Sequence, residues 1–151
     1  MTRPLRILMS AGEASGDRLG AGLAEAIRQR RPDAELLGMG GDAMAAAGVR
    51  RVAHASDVAV VGIAEVASRL PALRRAMAAL SAEIERERPD LVVPVDFPDF
   101  NLRLATRARR AGVPVVYFVG PSVWAWRRGR MRRIRRDVRR MLVRYPFAVP
   151  L

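Results

Sequence analysis

Apolar residues recur along this chain in two alternating rhythms. Leu5 to Met9 is a short apolar run ending in Ser10-Ala11-Gly12, and from Ser15 a helical spacing takes over through Leu19, Leu23 and Ile27, stepping by four. Strand, glycine-bearing turn and helix are expected in that order. Pro32 closes the helix, Glu35 to Met39 gives a second short strand ending at Gly40-Gly41, and Asp42 is placed to cap a short helix through Met44 to Ala47. The segment Val52 to Gly62 mixes polar residues with the apolar Val58 to Val61, and reads as a short strand near Arg51 with a loop into Gly62. From Glu65 to Arg88, Leu70, Leu73, Met77, Leu80 and Ile84 recur at steps of three and four and form one apolar stripe, with Arg and Glu on the other side.

Pro89-Asp90 breaks that helix. Leu91 to Val95 is then almost wholly apolar, the pattern of a strand buried on both faces of a parallel sheet, with Asp96 at its carboxyl end. Asn101 to Arg110 is helical, Gly112 closes it, and Val113 to Val119 is a strand that stops at Gly120-Pro121. Ser122 to Arg130 leads into a basic helical stretch, and Met141 to Val143 predicts a last short strand. The connections are too long for hairpins and no linker or repeat interrupts them, so the fold class is α/β, a doubly wound, mainly parallel sheet.

At 151 residues the chain suits one compact domain spanning 1–151, not two full-sized ones, and half its residues are apolar, enough to build a core. The absence of Cys excludes disulfides, thiolate nucleophiles and Cys-ligated metals, and agrees with a reducing cytoplasm. All 27 basic residues are Arg, against 15 acidic ones, for a net charge of +12. Without Lys there is no P-loop, no Schiff-base lysine and no receiver-domain lysine. The longest uninterrupted apolar stretch is Val58 to Ala64, and Met1 to Ser10 lacks a long apolar region and a small-residue cleavage site, so neither a membrane span nor a secretory signal is expected.

Ligands of doubly wound sheets bind at the carboxyl ends of the strands, which directs attention to three loops. In Gly12-Glu13-Ala14-Ser15-Gly16-Asp17 small residues let backbone amides approach a ligand at a helix start, whose positive end favours anions. A tight turn at Gly12 with Ser15 as helix cap accounts for this loop equally well, and its glycines do not fit a dinucleotide fingerprint. In Asp96-Phe97-Pro98-Asp99-Phe100-Asn101, Asp96 at the strand end is the better candidate for a general base and Asp99 for a helix cap, although a turn residue bonding local amides is as good a reading of Asp96. His54 reads as a solvated or hydrogen-bonded loop residue. The loop Pro121 to Arg127 holds both Trp residues, Trp124 and Trp126, whose flat faces suit a sugar or an acyl chain, or packing beneath the loop.

Ala-Gly-Glu-Ala-Ser-Gly-Asp at 11 to 17, Gly38-Met39-Gly40-Gly41 with Met44, Val61-Gly62 with Glu65-Val66, Asp96 to Asn101, and Pro-Ser-Val-Trp-Ala-Trp-Arg at 121 to 127 together resemble the lipid-A-disaccharide synthase family, in its motif order. The resemblance implies a GT-B glycosyltransferase with two Rossmann-like domains, of which this chain is similar to the amino-terminal, acceptor-side one. It implies condensation of UDP-2,3-diacylglucosamine with 2,3-diacylglucosamine 1-phosphate, inversion at the anomeric carbon and release of UDP. No metal or cofactor is implied, the UDP-sugar donor being a substrate. By the same resemblance Asp96 is the base for the acceptor 6-hydroxyl. Gly12, Glu13, Ser15, Gly16, Asp17, Asn101, Ser122, Trp124 and Trp126 line the substrate cleft. The family usually continues after Pro146-Phe147 with an acidic residue and a second domain holding most UDP contacts, whereas here Ala148 follows and the sequence stops at Leu151. The isolated chain is therefore expected to make no disaccharide alone, and an acceptor- or lipid-binding module without catalysis is the alternative reading. The family places the protein in the cytoplasm, peripheral at the inner membrane of a Gram-negative bacterium.

Arg127 to Arg144 holds ten Arg and one acid, Asp137, so the basic excess is local. Arg128, Arg132, Arg135, Arg136 and Arg139 fall at steps of three and four, which on a helix gathers guanidinium groups on one face. Such a face is either solvated or meets anions, and an anionic membrane surface is the expected partner. No nucleic-acid motif accompanies the tract, and no nucleic-acid partner is expected.

Overall fold

In the computed structural model, which describes residues 3–59, 63–120 and 128–142, strands and helices alternate as the apolar pattern requires. The first half runs β1 (Arg6–Ala11), α1 (Ala14–Arg30), β2 (Glu35–Gly40), α2 (Asp42–Ala46), β3 (Arg50–His54) and α3 (Ala55–Val58). The second runs α4 (Ile63–Glu87), β4 (Leu91–Val95), α5 (Pro98–Arg110), β5 (Val116–Phe118), α6 (Arg128–Asp137) and β6 (Arg140–Leu142). The six strands form one sheet in the order β3-β2-β1-β4-β5-β6, every pairing parallel.

With side chains alternating between two covered faces, the central strands are mostly apolar, Arg6 and Ser10 of β1 excepted. Ile7, Met9, Val93 and Val95 pack on one face with Ala21, Ala24 and Met44 of α1 and α2. Leu8 and Val92 pack on the other with Leu80 and Ile84 of α4 and Phe100 and Leu104 of α5. Pro94 sits in a central strand, where a missing N–H is normally costly. The amides of Val92 and Asp96 donate toward β5, to Pro114 and Phe118, so the position between them in the same register is the one where pairing to β5 lapses.

Several boundaries depart from the sequence pattern. Helix α5 starts at Pro98, not Asn101, because Pro at the first helical position has a suitable φ and no amide to waste, so Asp99 lies inside the first turn and caps nothing. In α2 the cap position falls on Gly41 and Asp42 is already helical. Leu70 departs from the apolar stripe of α4 and is 41% exposed. That helix is roughly 37 Å long at 1.5 Å per residue, against strands of about 17–20 Å, so the core covers its later turns at Met77, Leu80 and Ile84 and not Leu70. The segment after Arg51 is not simply a loop: His54 ends β3 and caps α3, its Nδ1 accepting from the Ser56 amide at 3.1 Å. Strand β5 is shorter than Val113 to Val119, and β6 begins one residue early, at Arg140; Val143 lies outside the described residues. No helix among the described residues is long and apolar enough to cross a membrane.

The basic tract does not build one five-membered helical face. Helix α6 ends at Asp137, and Arg139 lies in the connection to β6, its amide donating to Val115. Asp137 is the reason for the stop. Its fully buried carboxylate accepts from Thr106 Oγ1 (2.6 Å) and Arg109 Nε (2.7 Å) of α5 and from Arg136 Nε (2.8 Å), which fastens α6 to α5 and commits Arg136. The Arg136 hydrogen bond, with Thr106 and Arg109, holds this carboxyl down to about 2 against its burial. A depressed carboxyl contributes stability above the ordinary carboxylate range and loses it as pH falls from about 4 to about 2. Asp137→Asn is expected to cost about 2 kcal/mol of unfolding free energy in urea at pH 7, with the difference from wild type shrinking toward pH 2. A difference independent of pH would show that the charge contributes nothing.

Candidate functional site

The chain leaves β1 toward β2 and β3, then returns through α4 to place β4 on the other side of β1, so the topological switch point lies between β1 and β4. Ala11 and Val95 are register partners there, and the loops that follow them meet at the sheet's carboxyl edge. The meeting is tight. Gly12 is buried and a Cβ on it would overlap the Phe97 ring, so only glycine lets the first loop cross the second at this height. Gly16, in the first turns of α1, is also buried, facing Ala11 and the Val95 carbonyl.

Asp96 and Phe97 both adopt left-handed backbone, φ +49 and +51, which for non-glycine residues costs about 1 kcal/mol or more each. The surrounding contacts hold them there. Tyr117 Oη donates to the Asp96 carbonyl at 2.6 Å, and Asn101 Nδ2 donates to the same carbonyl at 2.8 Å. Asn101 is fully buried; its Nδ2 also donates to the Ser10 carbonyl (2.9 Å), while its Oδ1 accepts from the Ser10 hydroxyl (2.7 Å). One side-chain amide thus ties the end of β1 to the end of β4 and fixes where the Asp96 side chain begins. The Asp96 carboxylate itself is half-buried and bonds no described group. Burial pushes the Tyr117 hydroxyl far above its ordinary range, and the nearby Asp96 charge adds to the shift, so it stays a neutral donor.

The first loop divides into two roles. Glu13 and Ser15 are exposed on the lip of the crevice, and Ser15 is not a helix cap, since Glu13 occupies that position without a side-chain cap bond. Asp17 turns away. Its buried carboxylate accepts from the amides of Gly41 (2.7 Å), Ala43 (3.1 Å) and Met44 (3.0 Å), neutralising the start of α2, and a Cβ on Gly41 would crowd it. Like Asn101, Asp17 is bonded to main-chain groups in this geometry; the family resemblance sets both in the substrate cleft.

Ser122, Trp124 and Trp126 lie outside the described residues, as does the side chain of Arg128. At the same corner, Arg130 of α6 donates to Asp99 Oδ1 at 2.7 Å. Its charge, with those of Asp96 and Asp99, is felt at the Tyr117 hydroxyl, so these four residues share one neighbourhood. Sequence reasoning missed Ser10, Tyr117 and Arg130. Ser10 and Tyr117 are hydroxyl side chains at the carboxyl ends of otherwise apolar strands, a signal that was available; Arg130 is indistinguishable by pattern from its nine neighbours.

The arrangement offers a carboxylate with no partner among the described residues, on a clamped backbone at the carboxyl edge of the sheet, with Glu13 and Ser15 exposed on the neighbouring loop. Such a group can take a proton from a hydroxyl held beside it. A family model described as lipid-A-disaccharide synthetase matches residues 7–151. The chain is similar to the lipid-A-disaccharide synthases of Myxococcus xanthus (50% identical over 147 residues), Koribacter versatilis (49% over 144) and Geobacter sulfurreducens (47% over 145). Those alignments cover 97%, 95% and 96% of this chain, which spans about 38% of the length of each relative.

Proposed function

Since this chain belongs to the lipid-A-disaccharide synthetase family, we propose that it is the acceptor-side domain of a GT-B glycosyltransferase of lipid A biosynthesis. The acceptor, 2,3-diacylglucosamine 1-phosphate, enters the β1/β4 crevice, and the donor, UDP-2,3-diacylglucosamine, is held mainly by residues beyond this chain. Asp96 takes the proton of the acceptor 6-hydroxyl as that oxygen attacks the donor's anomeric carbon. The bond to UDP breaks on the opposite side, which inverts the centre and releases UDP. No metal or cofactor enters this scheme. The observation that carries the reading is the Asp96 carboxylate, without a partner among the described residues, on a backbone held by Asn101 and Tyr117.

The lipid substrates place the working enzyme at the anionic inner-membrane surface, on its cytoplasmic side, with Arg128, Arg132, Arg135, Arg136 and Arg139 as the basic contacts. Of these, Arg136 is already shared with Asp137 and Arg139 stands off the helix, so the contact is a basic patch and not a single stripe.

One set of preparations tests this reading. The chain alone is expected to make no disaccharide, because a transferase must align both substrates. Joined to the carboxy-terminal remainder of the Myxococcus xanthus relative, it should form product, and it should sediment with anionic but not zwitterionic vesicles, less so as salt rises. Turnover by the chain alone, or equal retention on both vesicles, would count against the corresponding part.

A further inference from the structure

We propose that Arg130 is the phosphate-recognising residue of this crevice, held in reserve by Asp99 until a sugar phosphate displaces it. The inference rests on the acceptor reading of the site and assigns it a residue that neither the motifs nor the basic patch singled out.

Arg130 differs from the rest of the tract. Its side chain is only 18% exposed, whereas that of Arg136 is 50% exposed and Arg132, Arg133, Arg135, Arg139 and Arg140 are all exposed. A guanidinium taken so far out of water needs strong anionic compensation, ideally a two-pronged one. Among the described residues it has one bond, Nη2 to Asp99 Oδ1, from a carboxylate that is itself 79% exposed. An exposed carboxylate loses little by returning to water, so the pair is easily exchanged. Arg130 keeps further N–H donors uncommitted among the described residues, in a fork that matches two oxygens of a phosphate.

Its location is the second part of the argument. Asp99 lies in the first turn of α5, three residues past Asp96, so the guanidinium sits at the carboxyl edge of the sheet beside the proposed base. Arg130 and Asp96 act on the Tyr117 hydroxyl with opposite sign. Among the described residues, one cation with donors to spare and one carboxylate without a partner share this corner, which suits a ligand that carries both a phosphate and a hydroxyl. Repulsion between a bound phosphate and Asp96 is offset by Arg130 standing with them. The phosphate belongs either to the acceptor's 1-position or to the donor's diphosphate; the recognition chemistry is the same.

Titration calorimetry on the full chain separates these. Wild type is expected to bind short-chain 2,3-diacylglucosamine 1-phosphate at least about tenfold tighter than the same sugar without its phosphate, the usual scale for one charge-assisted fork. Arg130→Gln should erase that ratio while leaving the unphosphorylated sugar unchanged. Asp99→Asn should tighten phosphate binding about threefold by removing the competitor, an effect of opposite sign that misfolding cannot mimic. If UDP, not the acceptor, shows the Arg130-dependent gain, the site serves the donor's diphosphate. Equal loss for both sugars in Arg130→Gln, or no change in Asp99→Asn, would overturn the proposal. If wild type binds neither sugar, the acceptor reading fails, and titration with inorganic phosphate then judges Arg130 alone: binding that Arg130→Gln abolishes upholds the anion site, and no binding ends it.

Discussion

Asp96→Asn, placed in the chain joined to a relative's carboxy-terminal remainder, is expected to lower kcat by about 10²-fold or more, the ordinary loss on removing a general base, with KM nearly unchanged. The geometry makes this substitution unusually clean. Asp96 stands at φ +49, a conformation that Asn tolerates as readily as Asp. Its structural bonds run through its main-chain carbonyl, which receives Asn101 and Tyr117, and the change does not touch that atom. Its carboxylate bonds no described group, so among the described residues no ion pair or cap is lost with the charge. Far-UV circular dichroism and the unfolding midpoint should therefore match wild type while disaccharide formation falls. A near-wild-type rate would remove Asp96 from the chemistry and leave the clamp on its carbonyl a matter of turn stability alone.

The sheet was legible because its central strands carry near-continuous apolar runs, Ile7 to Met9 and Leu91 to Val95, a pattern that burial on both faces explains. The strand-end rule then pointed to the loops after β1 and β4, whose strand ends are register partners. What the pattern missed was conformation and distance. Nothing local to Asp96-Phe97 announces two consecutive left-handed residues, and with them goes the true start of α5 at Pro98. The main-chain partners of Asp17, the amides at 41, 43 and 44, are more than twenty residues away and leave no local signal. The same holds for Asn101, whose partner Ser10 is 91 residues away. Polar residues buried against remote backbone and polar residues facing a ligand are identical in sequence; only the fold tells which groups they reach. The Arg periodicity failed for a related reason, continuing in sequence past Asp137, where tertiary bonds to Thr106 and Arg109 end the helix.

That distinction has a measurable consequence at Asn101, where exchanging one atom should cost more than most core truncations. Asn101 Nδ2 lies among three carbonyl oxygens, of Ser10 at 2.9 Å, Val95 at 3.3 Å and Asp96 at 2.8 Å. Asn101→Asp keeps the shape but replaces the donor with an oxygen facing those three acceptors, inside a site with no exposure to water. An unpaired buried charge of this kind costs about 3–5 kcal/mol, so unfolding in urea at pH 7 should show a loss of that order. The sign of its pH dependence is fixed. Burial raises the folded carboxyl above its unfolded value near 4, so the variant is least impaired below that value and its stability falls as pH rises through the interval between the two. Asn101→Ala leaves the same carbonyls and the Ser10 hydroxyl unpaired without adding charge, and its penalty should be smaller and flat with pH. If Asn101→Asp is instead as stable as wild type at pH 7, water reaches the junction of β1 and β4. The amide would then not be what holds Asp96 in place.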